Sequence, residues 1–245
     1  MRGRHDRPRR EDRTPEAATE QHLVVAIDGP SGSGKSSVSR AVARALGAAY
    51  LDTGAMYRAL TWWLLAEGVD LRDSATVIAK APDCPLNLGL DPDRAVVTVG
   101  GRDVGREIRS ERVTGQVSTV ATIPEVRRLM CRWQRRLITD AASTRGTVVA
   151  EGRDITTVVA PDAQVRILLT ASEAARLARR AQQTHGAVDD RSLRATRDLV
   201  VERDRVDSTV SAFTSAVDGV TLLDTSALDF DASVAAVLDI VRASA

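Results

Sequence analysis

Short unbroken apolar runs alternate along the chain with segments in which apolar residues recur every three or four positions. The runs are Leu23-Val24-Val25-Ala26-Ile27, Ala48–Leu51, Thr147–Ala150, Val165–Leu169 and Val220–Leu223. A strand with one wet face would alternate apolar and polar residues, whereas an unbroken run predicts a parallel strand buried on both faces. Helical spacing predicts helices over Ser36–Leu46, Ala55–Glu67, Pro124–Ala142, Ser172–Gln183, Arg191–Arg205 and Asp231–Arg242. Strands alternating with helices predict an α/β fold, a central parallel sheet with helices on both faces. The stretch Asp83–Ile108 breaks this rhythm. There Val97 and Val99 alternate and Gly100-Gly101 follow, the pattern of a small β-rich insert carrying a hairpin.

Residues 1–21 are rich in Arg, Asp, Glu and Pro without apolar periodicity, and are expected to be a disordered tail. A weak RNA- or partner-binding arm is the alternative to an inert tail. Residues 22–245 are expected to form a single domain, with an insert at about 83–122 and a lid at about 181–191, where Gly186 separates two helices.

The balance of 43% hydrophobic and 27% charged residues is that of an ordinary globular domain. A formal net charge of +1 favours neither nucleic acid nor an anionic membrane. Nearly all the positive charge is arginine, since the only lysines are Lys35 and Lys80. Lys35 therefore stands against the trend of its own sequence, at a place where a point charge and a planar fork are not interchangeable. Cys84 and Cys131 lie far apart with no CxxC spacing, which predicts free thiols in a reducing cytoplasm and no cysteine metal site. No apolar run is long enough to span a bilayer, and no apolar segment follows the N-terminal charges as a secretory signal would require.

The segment Gly29-Pro30-Ser31-Gly32-Ser33-Gly34-Lys35-Ser36 fits G-x-x-x-x-G-K-[ST] between a predicted strand and a predicted helix. Its glycines let successive backbone N–H groups turn toward phosphate oxygens, and the following helix adds its positive end. Lys35 is placed to reach the β- and γ-phosphates of ATP, and the Ser36 hydroxyl to ligate Mg²⁺. A glycine-rich turn that binds nothing is the plainer alternative. A guanine-reading N-K-x-D element is absent, because the only Asn is Asn87 and Lys80 is followed by Ala81.

Two further segments sit at predicted strand ends, where open α/β sheets bind ligands. They are Leu51-Asp52-Thr53-Gly54-Ala55-Met56-Tyr57-Arg58 and Glu151-Gly152-Arg153-Asp154. Arg58 and Arg153 could clamp a second phosphate, and Asp154 could accept from an amino group. Each alone could be a surface ion pair. Beside a phosphate loop, together, they point to a phosphoryl acceptor site.

These motifs resemble those of the bacterial cytidylate kinases, within the nucleoside monophosphate kinase family. The resemblance is carried by Ala26-Ile27-Asp28 and the glycine-rich loop, by Asp52-Thr-Gly-Ala-Met-Tyr-Arg58 and by Asp103-Val-Gly-Arg-Glu-Ile-Arg109. It continues through Val117-Ser118, Pro124-Glu-Val-Arg127, Glu151-Gly-Arg-Asp154 and Arg203-Asp-Arg-Val-Asp207-Ser208, and covers residues 23–245. It implies a P-loop kinase fold, ATP with Mg²⁺ as donor, and CMP or dCMP as acceptor in pyrimidine metabolism. It also implies a cytoplasmic monomer without stable nucleic-acid or membrane partners. Residues 29–37, ending at Ser37, would bind ATP, with Lys35, Arg153 and Arg58 catalytic and Ser36 on the metal. Ser118, Arg127 and Asp154 would read the cytosine edge, and Arg58 and Arg153 would hold the acceptor phosphate. Arg203 and Asp207 would contact the ribose, and Thr53 and Tyr57 would line the pocket.

Cytosine chemistry agrees with that trio. Its N4 amino group donates while N3 and O2 accept, and uracil reverses the first two polarities. The chain departs from the resemblance at Val210, where many members carry an Arg that reaches the phosphates, and at Ala212-Phe213, often Pro-Leu. Arg176, Arg179 and Arg180 flank the lid and are candidates for ATP phosphate contacts or for a solvated helix face. Trp62 and Trp63 read as packing residues, and His5, His22 and His185 have no evident catalytic partner. The rival readings are a kinase for UMP, a sugar or shikimate, and a non-catalytic nucleotide-dependent RNA-binding protein.

Overall fold

The computed structural model describes residues 22–211, 213 and 215–244, with every side chain but those of 185, 198, 199 and 201–203. The expectation of a disordered tail at 1–21 lies outside the described residues. The strands are β1 (Leu23–Asp28), β2 (Ala49–Asp52), β3 (Leu86–Leu88), β4 (Val97–Val99), β5 (Arg102–Asp103), β6 (Thr147–Gly152), β7 (Val165–Thr170) and β8 (Thr221–Asp224). The helices are α1 (Lys35–Ala45), α2 (Thr53–Ala66), α3 (Ser74–Lys80), α4 (Glu111–Thr114), α5 (Val117–Ala121), α6 (Pro124–Arg145), α7 (Glu173–His185), α8 (Asp190–Asp207) and α9 (Phe230–Ser244).

The five predicted apolar runs form one sheet in the order β2-β6-β1-β7-β8, every pairing parallel. Alternation along each strand divides the core. On β1, Val25 and Ile27 face a cluster with Val38 and Val42 of α1 and Val237 and Val241 of α9. Ala26 faces the other cluster, with Met56 and Leu60 of α2 and Met130 of α6. Val25, Ala26 and Ile27 are each 0% exposed, so neither face is wet, and the unbroken apolar run follows from that. Trp62 and Trp63 pack against the α2 side of the core, as their spacing predicts.

Several elements differ from the periodicity. Helix α2 begins two residues early because the Asp52 carboxylate accepts from Ala55 N–H at 2.8 Å and caps it. Helix α3, not predicted, is capped in the same way by Asp73. Helix α8 runs on to Asp207 rather than stopping at Arg205, which puts Asp204 and Asp207 on one helix, three residues apart. The insert is β-rich only in its first half. The antiparallel sheet β3-β4-β5 ends at Asp103, and α4 and α5 follow. The expected 181–191 lid segment is mostly helix. Gly186 ends α7 in a left-handed conformation and Asp189 caps α8, so the turn itself spans only 186–189.

Candidate functional site

The glycine-rich loop joins β1 to α1. Gly34 caps α1 at φ 89°, a conformation that costs a side chain strain and glycine nothing. Gly32 lies at φ 78°, and a Cβ there would stand 2.6 Å from the Arg176 carbonyl oxygen of α7. Helix α1 has no side-chain cap and no acidic residue in its first turn, whereas α2, α3, α7 and α8 are each capped by Asp or Ser. Its first N–H groups are left for an anion, with the positive end of the helix dipole behind them. The Ser33 hydroxyl in the loop is buried without a protein partner. Lys35 Nζ lies 3.5 Å from the Pro30 carbonyl. From outside, Ser31 N–H donates to Asp204 at 3.0 Å, and Arg179 donates to the Ser33 carbonyl at 3.1 Å.

The carboxyl end of β6 lies beside this loop. Glu151 is buried and accepts from the Tyr50 hydroxyl at 3.1 Å. Burial pushes its carboxyl up to about 7, the nearby Asp52 charge pushes the same way, and Lys35 and hydrogen bonds from Ser36 and Tyr50 oppose them. No group of three or more His, Cys, Asp or Glu suited to a metal exists among the described residues. The oxygen donors present still fit Mg²⁺, which typically takes one or two carboxylates and completes its shell with phosphates and water. Glu151 and Asp52 repel one another beside the Ser36 hydroxyl, and a cation there would relieve that repulsion.

The Glu151 shift carries a pH prediction. Its folded-state value lies above the ordinary 4.5. The cost of the buried charge is therefore full above about pH 7 and disappears as pH falls toward 4.5. Glu151→Gln mimics the protonated form. The variant should melt roughly 5 °C above the unsubstituted protein at pH 8 and converge with it by pH 5. Thermal melts across that range check this, and a pH-independent difference would refute it.

Between the start of α2, α5 and the end of α8 a pocket is lined by Gly54, Tyr57, Val117, Ala121, Arg127, Asp207, Val210 and Ser211. Arg127 at its edge pairs with Asp154 at 2.5 Å and reaches Ser211 Oγ at 3.2 Å. The Ser118 hydroxyl donates to Asp207 at 2.9 Å, so its proton is committed and its oxygen is left as an acceptor. Arg153 pairs with Asp204 at 2.8 Å and Asp207 at 3.0 Å, and its guanidinium lies 4.6 Å from the Phe213 ring centre. Arg58 donates to Thr114 at 2.9 Å. Burial lowers the Arg58 value to about 10; Asp52 opposes that shift, and Arg180, Arg109 and Arg153 add to it. Such a crowd of arginines is a place for a polyanion.

The structure thus puts Tyr57, Arg127 and Asp207 in the lining of one pocket, with Asp154 bonded to Arg127, Ser118 and Arg153 bonded to Asp207, and Arg58 near Arg153. Thr53 stands apart. It is buried, and its hydroxyl donates to the Glu151 carbonyl at 2.8 Å, tying α2 to β6. The Arg203 side chain lies outside the described residues. Val210 lines the pocket with an apolar side chain, beside Arg127 of α6, while Arg58, Arg109, Arg153 and Arg180 crowd together nearby.

Three residues at the site have no role in the sequence reading: Asp28, Glu151 and Asp204. Asp28 ends β1, is 1% exposed, and takes Ile155 N–H at 2.9 Å, Thr156 N–H at 2.8 Å and the Thr156 hydroxyl at 2.6 Å. It thereby anchors the turn that follows Arg153 and Asp154. Acidic residues closing apolar runs at Asp28 and Glu151 were a usable signal, because an acid in a two-sided buried strand needs dedicated partners. Asp28→Ala should cost about 3 kcal/mol by stranding two buried N–H groups. Denaturant unfolding checks this, and a loss under about 1 kcal/mol would contradict it.

Comparison with known proteins shows the family of the chain. The family model for cytidylate kinase matches residues 25–243. A cytidylate kinase of Streptomyces avermitilis is 44% identical over 92% of this chain and 95% of its own. One of Nocardia farcinica is 50% identical over 85% of this chain and 89% of its own. Among solved structures, an uncharacterized protein from Eubacterium ventriosum aligns with a TM-score of 0.48 at 10% identity, covering 90% of this chain and 98% of that one.

Proposed function

Because the chain belongs to the cytidylate kinase family, we propose that it transfers the γ-phosphoryl group of Mg·ATP to the 5′-phosphate of CMP or dCMP, giving ADP and CDP or dCDP. The observation that carries this reading is the shared position of two sites at the carboxyl ends of one parallel sheet. The uncapped loop of α1 lies on one side, the pocket with Arg127, Asp154 and Ser118 on the other, and Arg153 between them.

An acceptor phosphate oxygen attacks the γ-phosphorus in line, and the bond from that phosphorus to the β–γ bridging oxygen breaks. The attacking oxygen is already anionic near neutral pH, so no strong base is required. Catalysis rests on alignment and on charge stabilisation. Lys35 and the α1 amides hold the donor phosphates, and Arg58 and Arg153 hold the acceptor phosphate. Ser36, with Glu151 nearby, would hold Mg²⁺, which when bound would neutralise charge on the donor phosphates. Asp154 and the Ser118 oxygen accept from the cytosine amino group, Arg127 donates, and Asp207 meets the ribose. The segment at about 181–191, where α7 turns into α8, serves as the lid that excludes water, which would otherwise take the phosphoryl group. The free Cys84 and Cys131 thiols suit a reducing cytoplasm, and the enzyme is taken as a monomer.

A coupled assay of ADP formation over CMP, dCMP, UMP, AMP and shikimate tests the proposal. CMP and dCMP should turn over far faster than the rest. Turnover led by UMP or shikimate, or ATP binding with no acceptor-dependent ADP, would refute it.

A further inference from the structure

The Asp204 carboxylate on α8 touches three parts of the molecule at once. Its Oδ1 takes the Ser31 backbone N–H at 3.0 Å and Arg153 Nη1 at 2.8 Å, while Oδ2 pairs with Arg176 Nη1 of α7. Arg176 also donates to the Ser31 carbonyl at 2.9 Å, so Ser31 is gripped through both of its main-chain groups. The Asp204, Arg153 and Arg176 side chains are only 13%, 13% and 14% exposed, so water screens these pairs little. Beyond Arg153 the contacts continue through Asp207 at 3.0 Å to the Ser118 hydroxyl at 2.9 Å. An unbroken polar path therefore joins the donor loop to the acceptor pocket.

We propose that Asp204 is a positioning residue that couples the two nucleotide sites, by holding the Ser31 backbone of the donor loop and the acceptor-side Arg153 in one arrangement. The inference rests on the CMP kinase reading of those sites. Arg153 has five N–H donors, so its two carboxylate partners leave others for a phosphate. A nucleotide that orders one end of the path orders the other through Asp204, so the entropy of ordering is spent once for two ligands. The coupling is necessarily reciprocal. The opposite role for the same contacts is an inhibitory one, in which the carboxylate occupies phosphate-binding groups and opposes both ligands.

Calorimetric titration of CMP, with and without a non-hydrolysable ATP analogue and Mg²⁺, decides between them. In the unsubstituted protein the analogue should tighten CMP about tenfold, within the usual range for coupled sites. In Asp204→Asn, which keeps the shape and removes the charge, the ratio should fall to about twofold. CMP alone should bind that variant within about threefold of the unsubstituted protein. A residue that merely supports the fold would lower the melting temperature and leave the ratio alone. An unchanged ratio in folded Asp204→Asn, an uncoupled unsubstituted protein, or tighter binding of both ligands by the variant would overturn the proposal. Should Asp204→Asn fail to fold, Arg176→Gln decides. It cuts one arm of the bridge and should lower the ratio, and an unchanged ratio there also overturns the proposal. An unsubstituted protein that does not bind CMP at all would sink the proposed function and this inference with it, whereas bound CMP with uncoupled sites overturns the inference alone.

Discussion

Lys35→Ala is expected to lower kcat by about 10²–10³-fold, the loss typical of one preorganised donor aimed at charge developing in the transition state. Lys35 opens α1, whose N-terminus carries no side-chain cap, and its charge is felt by Glu151 across the loop. The transferring group would therefore lose its lysine cation while keeping the backbone amides, which accounts for a large but incomplete loss. CMP affinity should survive, because the pocket with Tyr57 and Arg127 is built from other elements. Steady-state kinetics with CMP titration checks both halves. Near-normal turnover would sink the assignment of the loop. Lost CMP binding would mean that the substitution had deformed more than the donor side.

Asp154→Ala is expected to lower kcat/KM for CMP by roughly 10²–10³-fold, or about 3–4 kcal/mol. Two losses add here. The cytosine amino group loses its acceptor, and Arg127, 2.5 Å from Asp154, loses its counterion in a largely buried place. UMP should suffer less, because an ionised carboxylate can only repel its O4. The preference for CMP over UMP should shrink, and the KM for ATP should stay within a few-fold. Asp154→Asn separates the two losses. Its amide offers both a donor and an acceptor, so it should narrow the CMP-to-UMP ratio further than alanine while leaving Arg127 a partner. Equal losses for CMP and UMP in both variants would show that Asp154 only anchors Arg127, and the cytosine half of the proposal would fall while the kinase half stood.

The outcome at Arg153 and Asp154 shows how adjacent residues can serve different ends. They follow one another at the end of β6, yet Arg153 turns to Asp204 and Asp207 of α8 while Asp154 turns to Arg127 of α6. Asp28 makes this divergence possible by holding the backbone of Ile155 and Thr156 from beneath. Stability and chemistry meet in that turn, so Asp28→Ala should disturb both.

Local physics was legible in the chain. A two-sided buried strand must be apolar at every position, so β1, β6 and β7 appear as unbroken runs; the run expected to be buried at Val220–Leu223 instead forms the edge strand β8, with Leu222 56% exposed, because no described strand covers its outer side. The glycine-rich loop declares itself by its spacing between a strand and a helix. Cap chemistry is equally local, but periodicity alone passes over it, which is why the Asp52 and Asp73 caps moved or created helix starts. The pairings across the site were not legible. Ser118 with Asp207 spans 89 residues and Ser31 with Asp204 spans 173, and nothing in a local pattern says which carboxylate a given arginine will meet. A chain with nearly all its cations as Arg offers many candidate partners of equal chemistry. The sequence by itself therefore determined the parallel sheet and the glycine-rich loop between β1 and α1. Only the tertiary structure decided that Arg127 of α6 pairs with Asp154, that Thr53 of α2 braces β6, and that Asp204 of α8 meets both Ser31 and Arg153, because each pairing depends on which elements distant in the chain pack side by side.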